Sequence, residues 1–290
     1  YFAFKIILQT KNQLKWYFIM NNLKMFCITL EPSHLNFIKS LNYVPVGLGE
    51  KKFSSDFMND RNGDNISKKN KNYGEYTFHY WLWKNHLQNI DKDWIGFCQY
   101  RKFWSLTFTP NNELNINNLQ SKVLKEIPNE LNQYDVVLGD PFFVNKRKIM
   151  KFLKKGFPLI LSNPKILFSE KARNIKFHFD LMHGRNNLER AIDLLNEENR
   201  NDFRKFVNNE VSFNPHNMFI CKSKKLLQSY YNEIFPWLEN CEKLFGFESL
   251  KGYGMKRIYG FLAERFMSYW FKKNAKFKEL PILFHDINND

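Results

Sequence analysis

The feature that most constrains this chain is the succession of a polar loop, an aromatic segment and a short apolar run. The loop is Asp64-Asn65-Ile66-Ser67, continuing through Asn70 and Glu75, and the aromatic segment is Tyr80-Trp81-Leu82-Trp83-Lys84-Asn85. The run Asp93-Trp94-Ile95-Gly96-Phe97-Cys98 reads as a buried strand, and it ends in Gln99-Tyr100-Arg101-Lys102-Phe103. A polar, basic strand end of this kind is where an open α/β sheet binds anionic groups. The pattern points to an enzyme that handles an anionic substrate.

Other strands follow from short apolar runs closed by turn residues. Met25 to Leu30 reads as a first buried strand, Tyr43 to Gly49 as a second, and Tyr134 to Asp140 as another, stopped by Pro141. Tyr76, Tyr80, Trp83 and Leu87 recur at helical spacing, so Tyr73–Leu87 is expected as a helix with one aromatic face. Asn111–Leu131 is expected to pack outside the sheet. After Pro141 helices are expected over 146–155, 186–206, 224–244 (kinked at Pro236) and 256–273, with a strand at 217–221 and a closing edge strand at 281–284. Strands alternating with helices imply a mainly parallel central sheet flanked by helices, with a helical C-terminal part.

A chain of 290 residues with 43% hydrophobic and 17% aromatic content is long and apolar enough to bury a large core. Its formal charge of +15 either concentrates anionic partners at the surface or reflects the Lys-, Asn-, Ile- and Phe-rich usage of an AT-rich genome. Cys27, Cys98, Cys221 and Cys241 form no C-x-x-C pair, and buried free thiols are expected. No run is long enough to span a membrane, and the segment from Tyr1 to Leu8, broken by Lys5, makes a poor secretion signal. A cytoplasmic protein is expected. Residues 1–19 precede the first Met, Met20, and read as a non-functional extension. Residues 20–290 read as one domain, with a donor-binding half over 24–145 and a helical acceptor-side half over 146–290.

The ordered segments Gly63 to Ser67, Glu75, Tyr80 to Asn85 and Ile95 to Phe103 resemble a bacterial family first catalogued as a domain of unknown function. Asn217-Met218-Phe219-Ile220 and Arg257 through Gly260-Phe261, Ala263, Glu264 and Arg265 extend the likeness over about residues 24–274. Members of that family bear names as capsular, exopolysaccharide or O-antigen glycosyltransferases, some as galactofuranosyltransferases. The resemblance implies a GT-A-like nucleotide-diphospho-sugar transferase fold. It also implies transfer of a hexose to a surface polysaccharide or lipid-linked glycan.

Read through the resemblance, Asp64, Asn65, Lys69, Asn70, Glu75, Gln99, Tyr100 and Arg257 line the donor site, although Asp64 and Asn65 also suit a tight turn and Glu75 a helix cap. Gln99 departs from the family's His, which weakens a metal role there. The Asp-x-Asp of Asp91-Lys92-Asp93 stands before its strand, at the wrong end for a metal. A fixed Arg offsets diphosphate charge with bidentate geometry, so no metal or other cofactor is expected. Arg257, Phe261, Glu264 and Arg265 fall near one helix face, which suggests a carboxylate beside two cations. Inverting transfer needs a base for the acceptor hydroxyl, and Glu264 is expected in that role, with Arg101 and either Arg257 or Arg265 stabilising the departing diphosphate. His183 and Asn217 are expected on the acceptor side. The basic run from Lys146 to Lys155 suits an interfacial helix on an anionic membrane, or simply a solvated face. Nucleic acid is not expected as a partner. The rival readings are a basic nucleic-acid-binding protein, and a catalytically inactive polysaccharide-assembly protein.

Overall fold

The computed structural model describes residues 22–146, 161 and 164–288. Its strands are β1 (Leu23–Thr29), β2 (Val44–Gly47), β3 (Trp94–Gln99), β4 (Lys102–Trp104), β5 (Val136–Gly139), β6 (Phe142–Phe143), β7 (Ser212–Phe213), β8 (Phe219–Cys221), β9 (Phe277–Leu280) and β10 (Ile282–Phe284). The helices needed below are α1 (Leu35–Ser40), α2 (Asn70–Tyr73), α3 (Tyr76–Trp81), α4 (Ile116–Lys122), α5 (Lys165–Phe168), α6 (Ile175–His183), α7 (Asn187–Ile192), α8 (Glu197–Asn209), α9 (Lys224–Phe245), α10 (Tyr253–Lys256) and α11 (Ile258–Asn274).

Strand parity explains how the sheet is covered on both faces. In β1, Phe26 and Ile28 enter one core, while Leu23, Met25 and Cys27 enter the other. In β3, Ile95 and Phe97 divide from Trp94 and Cys98 in the same way. Successive Cβ atoms point to opposite faces, so an unbroken apolar run is stable only in a sheet with two covered faces. The first core is closed by α3, α9 and α11, and the second by α1 and α4.

The longest ladders are parallel. β1 pairs with β2 from Phe26↔Val44 to Thr29↔Gly47, and with β3 from Leu23↔Trp94 to Ile28↔Gln99. On the other side of β3, β8 runs antiparallel between β3 and β5, and β9 runs parallel to β5. An antiparallel ribbon of β4 and β10 stands at the carboxyl end of β3, where Gln99 pairs with Lys102. The helix-rich second half therefore supplies β8, β9 and β10 to the same sheet. The mainly parallel α/β architecture read from the sequence is present, with these antiparallel strands inserted.

Several expected elements differ in detail. The helix expected over Tyr73–Leu87 is α2, a break at Gly74, α3, a π-helical turn over Leu82–His86 and a 3-10 turn over Leu87–Asn89. Gly74 sits at φ 60°, ψ −134°, which ends α2, and the wider π turn rotates later side chains away from a single stripe. Segment 186–206 divides into α7 and α8, with Asn196 capping the second by accepting from the Asn199 N–H. Helix α9 continues through Pro236. Segment 111–131, expected to pack outside the sheet, holds α4 and short 3-10 turns. β9 had no expectation attached to it. Residues 1–19 and the basic run after Lys146 lie outside the described residues. All four cysteines are buried and free.

Candidate functional site

A cavity of about 260 Å³ opens at the carboxyl ends of β1 and β3, lined by Thr29, Asn70, Glu75, Gln99, Arg101 and Arg257 among others. Its centre of organisation is Glu75. This residue precedes the first turn of α3 but makes no side-chain cap. Its carboxylate instead accepts from Asn217 Nδ2 (3.0 Å) and Gln99 Nε2 (3.4 Å) on Oε1, and from Arg257 Nη2 (3.2 Å) on Oε2. Three donors from three distant segments thus fix one carboxylate on the cavity wall. A charged acceptor with that many fixed donors is strongly held and oriented.

Two glycines allow this approach. A Cβ on Gly74 would lie 2.1 Å from Arg257 Nη2, so Arg257 reaches Glu75 only across a bare backbone. At Gly260 a Cβ would meet the Tyr73 carbonyl at 3.3 Å, which sets how closely α11 packs on α2. The Gly260 carbonyl also accepts from Asn217 Nδ2 at 3.1 Å.

A second layer of polar groups stands behind Glu75. Lys102 Nζ donates to Gln99 Oε1 at 3.0 Å, and Gln99 Nε2 also donates to the His216 carbonyl at 3.0 Å. Burial pushes the Lys102 ammonium below its usual range, Arg101 and Arg257 push the same way, and Glu75 and Glu264 oppose them. The turn at His216-Asn217 places two consecutive non-glycine residues at φ 78° and 53°. Such backbone costs about 1–3 kcal/mol per residue and persists only where surrounding contacts dictate it. Here they do: the His216 N–H donates to Glu264 Oε1 at 2.5 Å, and Asn217 is held by Glu75 and Gly260. Burial, with Lys102 and Arg101 nearby, holds His216 down at about 3, so its ring is neutral at pH 7.

The residues named from the sequence are only partly brought together. Asn70, Glu75, Gln99, Tyr100, Arg101 and Arg257 line the cavity, and Asn217 touches it through Glu75. Tyr100 is positioned by stacking on His34 (5.2 Å), and the exposed Arg101 lies 4.0 Å from Asp286. Glu264 stands behind the lining, bonded to His216 and Arg265. Arg265 is buried over the Phe213 ring at 4.2 Å and does not point beside Arg257: one helix position past Glu264 turns it about 100° away. His183 is buried, stacked on Phe261 at 4.0 Å and bonded to the Gly254 carbonyl. Lys69 pairs with Glu242, and Asp64 bonds Asn85 and Tyr80; none of these faces the cavity, and Asn65 braces the loop backbone at Gly63. Asp91 and Asp93 stand exposed at the opposite end of β3. Lys102, read from the sequence as part of the basic strand end but given no role of its own, completes the second layer with His216. Their signal was available as charge in a strand-end hairpin and as the turn-forming Asn214-Pro215-His216-Asn217.

The fold and this strand-end cavity define an α/β protein of the architecture seen in a solved glycosyltransferase. Its fold superposes on the apo structure of the WbbM bifunctional glycosyltransferase with a TM-score of 0.68 at 21% sequence identity, covering 91% of this chain and 45% of that one. The present chain thus spans less than half of that protein's length. The chain belongs to the family described as Domain of unknown function (DUF4422), whose profile matches residues 24–275. No curated protein sequence matches it significantly.

Proposed function

We propose that this chain is a glycosyltransferase that binds a nucleotide-diphosphate sugar in the strand-end cavity and moves its hexose to a glycan acceptor. The observation that carries the reading is Glu75, held by Gln99, Asn217 and Arg257 on the wall of a cavity at the carboxyl ends of β1 and β3. The shared fold with the WbbM glycosyltransferase supports it.

The acceptor hydroxyl oxygen attacks the anomeric carbon as the bond from that carbon to the diphosphate oxygen breaks, with inversion. Glu75 receives the hydroxyl proton, and the bonding electrons leave on the diphosphate. Arg257 and Arg101 offset that charge from the cavity wall, with Lys102 behind them, which is the work a divalent metal does elsewhere. Glu264 serves as a positioning residue that fixes the His216 turn, with Arg265 as its buried counter-charge. The acceptor in this reading is a surface polysaccharide or lipid-linked glycan, and the +15 charge favours contact with an anionic membrane. Among the described residues no helix is long and apolar enough to cross a membrane.

The test is a thermal-shift titration with UDP, GDP and their sugar conjugates, in EDTA and in Mn²⁺, followed by transfer assays. One base should raise the melting temperature equally in EDTA and in Mn²⁺, because a ligand that binds only the folded form stabilises it by mass action. Arg257→Ala should lose that shift. Glu75→Gln should keep most of it while transfer falls by roughly 100-fold or more. A shift that needs metal would overturn the cationic site, and the absence of any nucleotide shift would overturn the transferase reading.

A further inference from the structure

The aromatic motif Tyr80 to Asn85 and the loop before it are not absorbed by the cavity. Ile66, Lys69, Tyr80, Trp83 and Lys84 from these segments line a second groove, of about 470 Å³, which shares no lining residue with the first. Its floor is aromatic. Trp83 lies parallel to Phe235 at 5.3 Å and 10°, and Tyr80 stands edge-on to both, at 5.8 Å from Trp83 and 5.2 Å from Phe235. Lys84 Nζ lies over the Trp83 ring, 3.7 Å from its centroid, on an exposed side chain. The polar wall comes from Glu239, Glu242, Lys69 and Lys243. Glu242 is pre-positioned: Lys69 Nζ donates to its two oxygens at 2.7 and 2.8 Å, and the Tyr73 hydroxyl donates at 2.9 Å.

We infer that this groove binds a neutral oligosaccharide. A sugar ring offers an apolar C–H face and a rim of hydroxyls, which calls for a flat aromatic surface beside fixed carboxylates and ammonium groups. Both are present within one groove. The alternation of Lys69, Lys84 and Lys243 with Glu239 and Glu242 disfavours a polyanion, whose charges would meet two carboxylates. A purely apolar ligand would take the Lys69–Glu242 and Lys243–Glu239 pairs out of water without adding a hydrogen bond to either. On binding, Lys84 swings off Trp83 and the sugar face takes its place. That this groove receives the acceptor chain rests on the transferase reading; that it binds neutral glycan does not.

Saturation-transfer NMR on the full chain, with a β-linked galactose hexasaccharide as the neutral probe and a heparin hexasaccharide as the anionic one, tests the inference. The neutral probe should show saturation transfer and be displaced by excess unlabelled neutral glycan but not by UDP. Glu242→Gln should weaken it roughly tenfold, equivalent to about 1.4 kcal/mol. Glu239→Ala, at a position whose side chain is 67% exposed and paired only to Lys243 among the described ion pairs, leaves the fold intact and should weaken it by roughly threefold or more. UDP-induced melting shifts should be the same in both variants as in the wild type. Binding of heparin in preference to the neutral probe, no binding of the neutral probe at millimolar concentration, or equal binding by both variants would overturn the groove assignment. If the groove binds the neutral probe and no nucleotide shifts the melting temperature, the transferase reading fails and the groove assignment stands.

Discussion

At Gly74 two independent demands fall on one residue. Its φ of 60° with ψ of −134° is a region that side chains rarely enter, and the space a Cβ would fill holds the Arg257 guanidinium at 2.1 Å. Gly246 shares the first demand, at φ 61°, but has nothing within 4 Å of its Cβ position. The two glycines therefore separate backbone strain from site geometry. Gly74→Ala and Gly246→Ala should each cost about 1–3 kcal/mol in chemical denaturation. Only Gly74→Ala should also push Arg257 off Glu75, and it should weaken nucleotide binding by roughly tenfold in a titration, or about 1.4 kcal/mol. Equal nucleotide binding by the two variants would remove Arg257 from the site. The same comparison shows what a sequence yields at this scale. Gln99 and Arg101 were readable as part of a polar, basic strand end, whereas Glu75 and Arg257 entered through the family resemblance. The bond between Asn217 and Glu75 was not readable, since it joins positions 142 residues apart and depends on a turn with two left-handed residues. Arg265 was expected beside Glu264 as a cation for the departing diphosphate, yet α11 is buried on nearly every side and the guanidinium is held over Phe213.

The element that decides where the aromatic motif faces is the π turn at Leu82–His86. A regular helix through Tyr80, Trp83 and Leu87 would present one stripe; the wider turn sends Leu82 into the core and leaves Trp83 half-buried in the groove. Sequence periodicity cannot see this, because the inserted residue in the turn leaves the apolar spacing looking helical. Just after the turn's middle, Asn85 ties the element to the Gly63 loop. Its Oδ1 accepts from the Asp64 N–H at 3.0 Å, and its Nδ2 donates to the Asp64 and Trp81 carbonyls at 2.7 and 2.9 Å. Gly63 is required beneath it, since a Cβ there would lie 2.2 Å from Asn85 Oδ1. The Gly-Asp-Asn signature is therefore a loop clamp in this fold, and its order comes from the helix that follows it. Asn85→Ala should cost about 1–3 kcal/mol, from three lost hydrogen bonds partly replaced by water. Hydrogen exchange should rise across residues 61–67, with nucleotide-induced protection at 99–101 unchanged. Faster exchange at 99–101 as well would show that the loop supports the cavity directly.

For the whole molecule, three strongly shifted histidines couple folding to pH in the same direction, and His86, lowered by burial and Lys24, adds to them. Burial holds His79, His183 and His216 each at about 3, against an ordinary value near 6.5. Arg265 reinforces the shift at His183, and Lys102 and Arg101 reinforce it at His216. All three stay largely neutral in the folded protein at pH values well above 3, whereas the unfolded chain protonates them below about 6.5. Between those limits the unfolded state binds more protons, so stability rises with pH and falls as acid is added. The three sites belong to different parts of the fold: His79 in the core beneath β3, His183 at the end of α6 under α10, and His216 in the turn behind Glu75. Their effects should therefore add. The melting temperature should be level above pH 7 and drop steadily from pH 6.5 toward pH 4. His183→Asn should make that drop shallower, because it removes one of the three strongly shifted groups. A melting temperature that holds flat between pH 6.5 and pH 4 would mean that these rings are reached by water in solution. In that case the buried turn behind Glu75 would have to open far more readily than its hydrogen bonds to Glu264, Glu75 and Gly260 imply.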